Sequence, residues 1–444
     1  MNGQVLGPKR YYILTYGCQM NVYDSEVLSG YLESMGYIPA NSEEDADVLI
    51  INTCAVRQKA EEKVLSKLGK LRSFKKRNPE MLLVLWGCMM QQKGIAEKIS
   101  NKYKFISLIG GPHSLQRFPQ LLEKAQTSSK TLIDTSIEGE KEHPHIKRGH
   151  SFKAWIPISH GCNNFCTYCV VPYVRGPEIS RSPAKIIQEV KELSKKGYKE
   201  ITLLGQNVNS YGKDLKEDVD FADLLQHLDG IEGLFRIRYM TSHPRDFNDR
   251  IIDIIANGEK ICEHFHLPVQ SGSNKILKLM NRGYTRDYYL ELIDKIRSRV
   301  ANCSITSDII VGFPGEKEKD FKDTLDLMQK VQFDAAYIFI YSPRKGTKAL
   351  EMAGQVSPEI KKERIKELNK IQSIISLNKN RDLLGTKQEI LVEEKSKTNP
   401  NMLTGRTRTN KIVHVSSNGN LLGKLVDVEI TEAKSWTLTG KCLS

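Results

Sequence analysis

From Tyr11 to Tyr341, short apolar runs alternate with amphipathic stretches. That alternation restricts the chain to parallel strands covered by helices. In the first part, strands are expected at Tyr11–Tyr16, Val48–Asn52, Leu82–Trp86 and Phe105–Ile109, and helices at Asp24–Met35, Ala60–Phe74 and near Gly94–Ile99. Val64, Leu65, Leu68, Leu71 and Phe74 form the apolar stripe of the second helix. A polar stretch, Gln126–Gly149, then reads as a linker. The alternation resumes with strands at Trp155–Ser159, Glu200–Leu204, Phe235–Met240, His264–Val269, Ser304–Val311 and Ala335–Tyr341, with helices such as Pro183–Lys196 and Glu318–Val331 between them. Six βα units suggest an incomplete barrel related to the eight-unit one. A long helix, Pro358–Leu384, follows.

The C-terminal region changes character. Lys387–Glu393, Leu403–Arg408, Ile412–Val415, Leu425–Thr431 and Thr437–Cys442 are short strand candidates between Asn, Gly and Ser turns, and Gly405 and Gly440 fall inside strands. Five such strands fit a small β-barrel. The expected fold is a multidomain α/β chain: an N-terminal parallel-sheet domain over 1–127, a linker over 128–147, a partial (β/α)6 barrel over 148–380, and a small β-barrel over 381–444.

With 444 residues and a hydrophobic fraction of 39%, the chain can build several cores. No apolar run approaches the ~18–20 residues that span a bilayer. Met1–Arg10 lacks the pattern of a signal peptide. A cytoplasmic protein with no membrane partner is expected. The net charge of +13 points weakly to a polyanionic partner, and a lysine-rich surface explains it as well. The nine cysteines are an odd number, which in a cytosolic chain favours metal binding or catalysis over a disulfide framework.

Three thiols, Cys162, Cys166 and Cys169, are spaced C-x3-C-x2-C just after the first strand of the central region. Active sites of βα barrels lie on loops after strands. A structural zinc site takes four protein ligands, and no fourth cysteine is near. Three thiolates on a 4Fe–4S cluster leave one iron open. A His-completed zinc site, or three buried structural cysteines, are the competing readings. Cys18, Cys54 and Cys88 are separated by 35 and 33 residues, yet each immediately follows an expected strand. Parallel strands end on one edge of a sheet, where ligands bind in open α/β folds, so the three thiols would converge there. Taken singly, each is a small buried hydrophobe. Cys262, Cys303 and Cys442 have no assigned role beyond packing.

The C-x3-C-x2-C loop on six βα units resembles the radical S-adenosylmethionine (SAM) superfamily, over roughly 150–380. The resemblance implies that the open iron chelates the amino and carboxylate groups of SAM, and that reduction releases a 5′-deoxyadenosyl radical. Tyr168, before the last thiol, matches the superfamily habit of placing a ring near the adenine. Gln206, Gln270, Ser271 and Asp308, at or just after strand ends, are candidate SAM contacts. The whole layout resembles the radical SAM methylthiotransferase family. The match runs through Tyr16-Gly17-Cys18-Gln19-Met20-Asn21, Asn52-Thr53-Cys54-Ala55-Val56-Arg57, Gly87-Cys88-Met89, Cys169-Val170-Val171-Pro172-Tyr173-Val174-Arg175-Gly176, Gly205–Gly212, Asp308–Glu316 and Tyr341-Ser342-Pro343-Arg344. His160, where an acid is expected, and Met90, where alanine is expected, depart from the pattern.

The resemblance implies two 4Fe–4S clusters. Cys162, Cys166 and Cys169 would hold the one that binds SAM, and Cys18, Cys54 and Cys88 an auxiliary one. The implied reaction is methylthiolation of carbon 2 of isopentenyl-adenosine beside the tRNA anticodon, with SAM as both methyl donor and radical source. Implied partners are the tRNA anticodon stem–loop, a reductant such as flavodoxin or ferredoxin, and a sulfur source or cluster carrier, acting on a monomer. Sister enzymes act on threonylcarbamoyl-adenosine or on a ribosomal-protein aspartate. A non-catalytic iron–sulfur RNA-binding protein is the alternative of a different class. The last domain resembles the TRAM module, a small RNA-binding barrel. There Arg406 and Arg408 share one face with Lys411 at the turn, a stripe suited to phosphates. Arg57–Arg77, with nine basic and two acidic side chains, is a second basic surface, or simply a solvated helix face.

Overall fold

The computed structural model describes residues 7–55, 58–137, 142–396, 399, 402–417 and 419–443, with the side chains of residues 58–62 left out. Val56 and Arg57 of the second cysteine motif, and Glu138–Lys141 of the expected linker, lie outside the described residues. The chain divides into two compact units. One comprises Met1–Gly149, His160–Asn163 and Cys169–Arg181; the other comprises His150–Ser159, Asn164–Tyr168 and Ser182–Ser444.

The first unit is built on a parallel sheet of six strands: β1 (Arg10–Thr15), β2 (Ile38–Pro39), β3 (Val48–Thr53), β4 (Leu82–Gly87), β5 (Leu108–Gly110) and β6 (Leu132–Asp134), in the order β2-β1-β3-β4-β5-β6. Every residue of β3 and β4 is buried, which is why Val48–Ile51 and Leu82–Trp86 read as apolar runs; β3 ends on the buried polar pair Asn52 and Thr53. Leu49, Ile51, Leu83 and Leu85 pack against Val64, Leu68 and Leu71 of helix Gln58–Arg77 and against Ala96 and Ile99. Leu65, expected in that stripe, is exposed instead, because the inward face is set by Val64, Leu68 and Leu71, with Phe74 partly buried against the same core. Trp86 meets Phe118 edge-on at 5.4 Å. Two departures concern boundaries. Helix Gln19–Ser34 begins five residues before the expected start. The stretch 128–147, expected to be a linker, contributes β6 to the sheet.

The second unit carries the six expected βα strands as two parallel groups of three. Glu200–Leu204 is central between Lys153–Pro157 and Arg236–Met240, and Ser304–Val311 is central between His264–His266 and Ala335–Ile340. An isolated parallel bridge between Ile237 and Ile261 joins the groups. The strands therefore follow sequence order around an open barrel, filled by a single apolar cluster. The His264 strand stops three residues short of the expected end, and Gln270, at φ +70°, rejoins the neighbouring strand through a single parallel bridge with Ile309. Helix Pro358–Arg381 is capped by Ser357, whose Oγ accepts from the Ile360 N–H.

The five C-terminal strands close into a barrel, with Ile390, Val392, Leu403, Val413, Val415, Val428, Ile430 and Leu438 as its core. Gly405 sits where a Cβ would lie 2.6 Å from the Leu391 carbonyl oxygen, so only glycine fits there. The barrel is docked onto the starts of the βα strands. Arg236 donates to the carbonyl oxygens of Arg406 and Glu389 at 2.7 and 3.0 Å, and Arg238 to those of Arg408 and Thr407 at 2.9 and 2.8 Å. Among the described residues, no helix is long and apolar enough to cross a membrane.

Candidate metal centre

Cys18, Cys54 and Cys88 follow β1, β3 and β4, which are adjacent parallel strands of one sheet. All three thiols thus lie at the same sheet edge. Cys54 and Cys88 are buried, and Cys18 is partly exposed as the residue preceding helix Gln19–Ser34. The strings around them have a packing function. Gly17 and Gly87, each just before a cysteine, take φ +150° and +101°. A Cβ on Gly17 would lie 2.9 Å from Cys54 Cβ, and one on Gly87 would lie 2.4 Å from Asn52 Oδ1. Asn21 and Asn52 lock these turns together. Asn21 Nδ2 donates to Asn52 Oδ1 and to the Thr53 carbonyl, both at 3.1 Å, and Asn52 Nδ2 donates to the Asn21 carbonyl at 2.8 Å.

Cys88 has a cationic neighbour that the sequence reading did not single out. Arg175 Nε donates to Cys88 Sγ at 3.1 Å, and Arg175 Nη2 to Asp24 Oδ2 at 2.9 Å. Burial pushes the Cys88 thiol up to about 12; Arg175 pulls it down, while Cys54, Asp24 and Cys18 push it up. As a ligand to a metal centre this sulfur would be a thiolate, its proton released on binding, and the Arg175 N–H would then meet a negative sulfur. Ala55, Cys88, Val170 and Val174 form an apolar patch around it. Among the described residues, no three His, Cys, Asp or Glu side chains are grouped so as to hold a single metal ion. Three cysteines at one sheet edge, two of them buried, are of the soft ligand type that iron–sulfur clusters take.

The C-x3-C-x2-C loop is contributed in parts. In the first unit, the Cys162 N–H donates to the Gly176 carbonyl at 3.2 Å, and Gly161, at φ +74°, sits where a Cβ would lie 1.9 Å from the Pro177 oxygen. In the second unit, residues 164–168 are anchored by Asn281 Nδ2, which donates to the carbonyls of Asn164 and Phe165 at 3.2 Å, and by Thr167 Oγ1, which donates to Leu279 O at 2.9 Å. Arg282, fully enclosed, donates from Nη1 to Cys166 Sγ and to Tyr168 Oη, both at 3.4 Å, and from Nη2 to the Pro268 carbonyl at 2.7 Å. Arg175 and Arg282 are thus paired with one thiol each. Arg175 lay inside a motif already quoted, but nothing in the string announced its partner. Arg282 carried no sequence signal.

The candidate SAM contacts fare unequally. Gln270 is buried, its φ is +70°, and its Oε1 has no hydrogen-bond partner among the described residues. Its backbone is fixed to the neighbouring strand by bonds with Asp308 and Ile310, both at 2.9 Å. A buried acceptor held in this way fits a donor on a bound cofactor. Ser271 is spent internally, accepting from the Ser273 N–H at 3.2 Å and lying 3.4 Å from Thr324 Oγ1. Asp308 faces His266 at 3.7 Å. Gln206 is half-buried just past the Glu200 strand.

The expected RNA stripe is corrected. Arg408 Nε lies 3.0 Å from both carboxylate oxygens of Glu263, and Lys411 Nζ reaches Asp334 Oδ1 at 2.8 Å and Asn380 Oδ1 at 2.9 Å. Arg406 donates to Asn410 Oδ1 at 3.2 Å and stands 3.6 Å from Glu393. The alternation of these residues is real, but Arg408 and Lys411 are spent on Glu263 and Asp334 of the βα region, whereas Arg406 has its partners within the small barrel and stays partly exposed. On helix Gln58–Arg77, Lys67 pairs with Glu43 and Lys75 donates to the Met81 carbonyl, while Lys63, Lys70, Arg72 and Lys76 remain exposed.

Three family models match the chain: an uncharacterized protein family designated UPF0004 over residues 10–111, the Radical SAM superfamily over 156–328, and the TRAM domain over 381–443. A tRNA-2-methylthio-N(6)-dimethylallyladenosine synthase of Thermoanaerobacter pseudethanolicus is 56% identical, covering 97% of this chain and 92% of that relative. One of the same name from Natranaerobius thermophilus is 54% identical, covering 98% and 96%. Among solved structures, the radical SAM methyltransferase TsrM of Kitasatospora setae, with cobalamin and a [4Fe-4S] cluster bound, aligns with a TM-score of 0.55 at 12% identity, covering 77% of this chain and 74% of that one. At that identity the likeness is one of fold.

Proposed function

The chain belongs to the family of the tRNA-2-methylthio-N(6)-dimethylallyladenosine synthases, radical SAM enzymes with a TRAM domain, and from that premise we propose how its residues divide the work. The reaction is methylthiolation of carbon 2 of isopentenyl-adenosine next to the tRNA anticodon, with SAM and 4Fe–4S clusters as cofactors. The hydrogen on that carbon is not acidic, so no side-chain base removes it at a useful rate. Bound to a reduced cluster, SAM supplies a carbon radical able to break such a bond, and as a sulfonium it also supplies a methyl group.

The protein's part is ligation, orientation and exclusion of water. Cys162, Cys166 and Cys169 hold the cluster that binds SAM. Of the candidate contacts Tyr168, Gln206, Gln270, Ser271 and Asp308, Gln270 would serve the cofactor best, because its Oε1 is a buried acceptor with no partner among the described residues, whereas the Ser271 hydroxyl is engaged within its own loop. Cys18, Cys54 and Cys88 would hold the auxiliary cluster, which would supply a site for the sulfur to be inserted. One observation carries this reading: three thiols, two of them buried, follow three adjacent parallel strands at one edge of a sheet, in a chain that also bears the C-x3-C-x2-C loop. The domain over 381–444 grips RNA by surfaces other than the docked Arg408 and Lys411. A flavodoxin- or ferredoxin-type reductant and a sulfur source or cluster carrier complete the cycle, on a monomer in the cytoplasm.

Mass spectrometry of tRNA nucleosides from cells lacking the protein tests this reading. The methylthio form should disappear and isopentenyl-adenosine should accumulate. An unchanged methylthio signal, or loss of the threonylcarbamoyl-type methylthio nucleoside instead, contradicts it.

A further inference from the structure

Arg175 is 5% exposed and Asp24 is 1% exposed, and both are joined to Cys88 in one chain of hydrogen bonds. Arg175 ends the short helix Val171–Arg175, only six residues after Cys169, while Asp24 lies on helix Gln19–Ser34, six residues after Cys18. The guanidinium therefore ties the segment that follows the last thiol of the C-x3-C-x2-C loop to a thiol of the other set. The planar fork serves sulfur with Nε and carboxylate with Nη2 at once, which the single ammonium of lysine cannot reproduce. A donor on a cluster thiolate withdraws charge from it and raises the reduction potential of the cluster, and a carboxylate behind the donor has the opposite effect.

We propose that Arg175 is a positioning residue that sets the reduction potential of the auxiliary cluster through Cys88, with Asp24 as the counter-charge that limits the effect. The proposal rests on the reading of Cys18, Cys54 and Cys88 as cluster ligands. Arg282 donates to Cys166 in the same manner, but among the described residues no carboxylate pairs with it, so the two sets of thiols sit beside different charge arrangements. The cluster that presents sulfur can then be poised independently of the one that must reduce SAM.

The test is a redox titration of the reconstituted full-length protein, following both clusters by electron paramagnetic resonance, with the SAM-binding one identified by its response to added SAM. In Arg175→Gln, the auxiliary midpoint should fall so that the reduced-to-oxidised ratio at fixed potential drops about tenfold, ~59 mV for one electron. Arg175→Lys should give a smaller shift of the same sign, and Asp24→Asn a shift of opposite sign. The SAM-responsive cluster should not move. If Arg175→Gln loses iron, Arg175→Lys and Asp24→Asn carry the test. An unmoved midpoint, parallel shifts of both clusters, or loss of iron in all three variants overturns the proposal. Failure of the underlying reading looks different: the unsubstituted protein would then hold one cluster, or would keep both when Cys18, Cys54 and Cys88 are replaced.

Discussion

Arg408 of the small barrel faces Glu263 of the βα unit with its Nε 3.0 Å from both carboxylate oxygens, while its Nη1 and Nη2 donate to the carbonyls of Glu259 and Ile261 at 3.0 and 2.8 Å. A side chain expected to meet phosphate is instead a docking pin. Replacing it by alanine strands a half-shielded carboxylate and two carbonyls, at a cost of about 1–3 kcal/mol. Arg408→Ala should therefore lower the thermal unfolding midpoint and leave the salt dependence of tRNA binding unchanged. A log–log salt slope reduced by about 0.7 or more per removed contact would restore the phosphate role.

Gly87 precedes Cys88 at φ +101°, and a Cβ there would meet Asn52 Oδ1 at 2.4 Å and the Thr53 carbonyl oxygen at 2.5 Å. Backbone strain and the clash together should cost Gly87→Ala about 2 kcal/mol or more. The expected result is a chain that keeps the SAM-binding cluster and loses iron from the auxiliary one. Full iron content with normal stability would show that the turn tolerates a side chain.

The orphaned Oε1 of Gln270 should be the most sensitive of the candidate SAM contacts. Gln270→Leu keeps the bulk and removes the acceptor. It should weaken SAM binding about tenfold, equivalent to ~1.4 kcal/mol, whereas Ser271→Ala, whose hydroxyl is engaged within its own loop, should change affinity little. Equilibrium binding to the reconstituted protein distinguishes the two, and equal losses would contradict the ranking.

The strands that carry the candidate centre were legible because they are simple. β3 and β4 are buried on both faces, so Val48–Ile51 and Leu82–Trp86 are apolar throughout, and Cys54 and Cys88 stand directly after the two strands. Helix Gln19–Ser34 was legible only from Asp24 onward. Its first turns bury Asn21, Asp24, Ser25 and Glu26, and these polar residues are buried for partners elsewhere: Asn52, Arg175 and the Gly149 amide. Periodicity cannot see such a face. β6 is a three-residue edge strand with little burial, and its sequence looks like its polar surroundings. The alternation of Arg406 and Arg408 was read from the strand, but what lies opposite was not. Glu263 is 145 residues from Arg408, and Asp334 is 77 residues from Lys411. The same distance in sequence hid the pairing of Arg175 with Cys88, 87 residues apart.

Two sets of three thiols should hold two 4Fe–4S clusters, about eight irons per reconstituted chain. Triple replacement of Cys162, Cys166 and Cys169 by alanine should leave about four irons and abolish reductive cleavage of SAM. Formation of 5′-deoxyadenosine by that variant would show that the SAM-binding cluster has been assigned to the wrong residues.

The division of labour between the two sets is tested most directly by Cys54→Ala. The measurement is an anaerobic reaction with isopentenylated anticodon stem–loop, dithionite and SAM, quantifying 5′-deoxyadenosine and methylthiolated nucleoside in the same samples, with an iron count on the variant. The account predicts about four irons, continued formation of 5′-deoxyadenosine and no methylthio product. Full methylthiolation by Cys54→Ala, or loss of 5′-deoxyadenosine while about four irons remain, would contradict it.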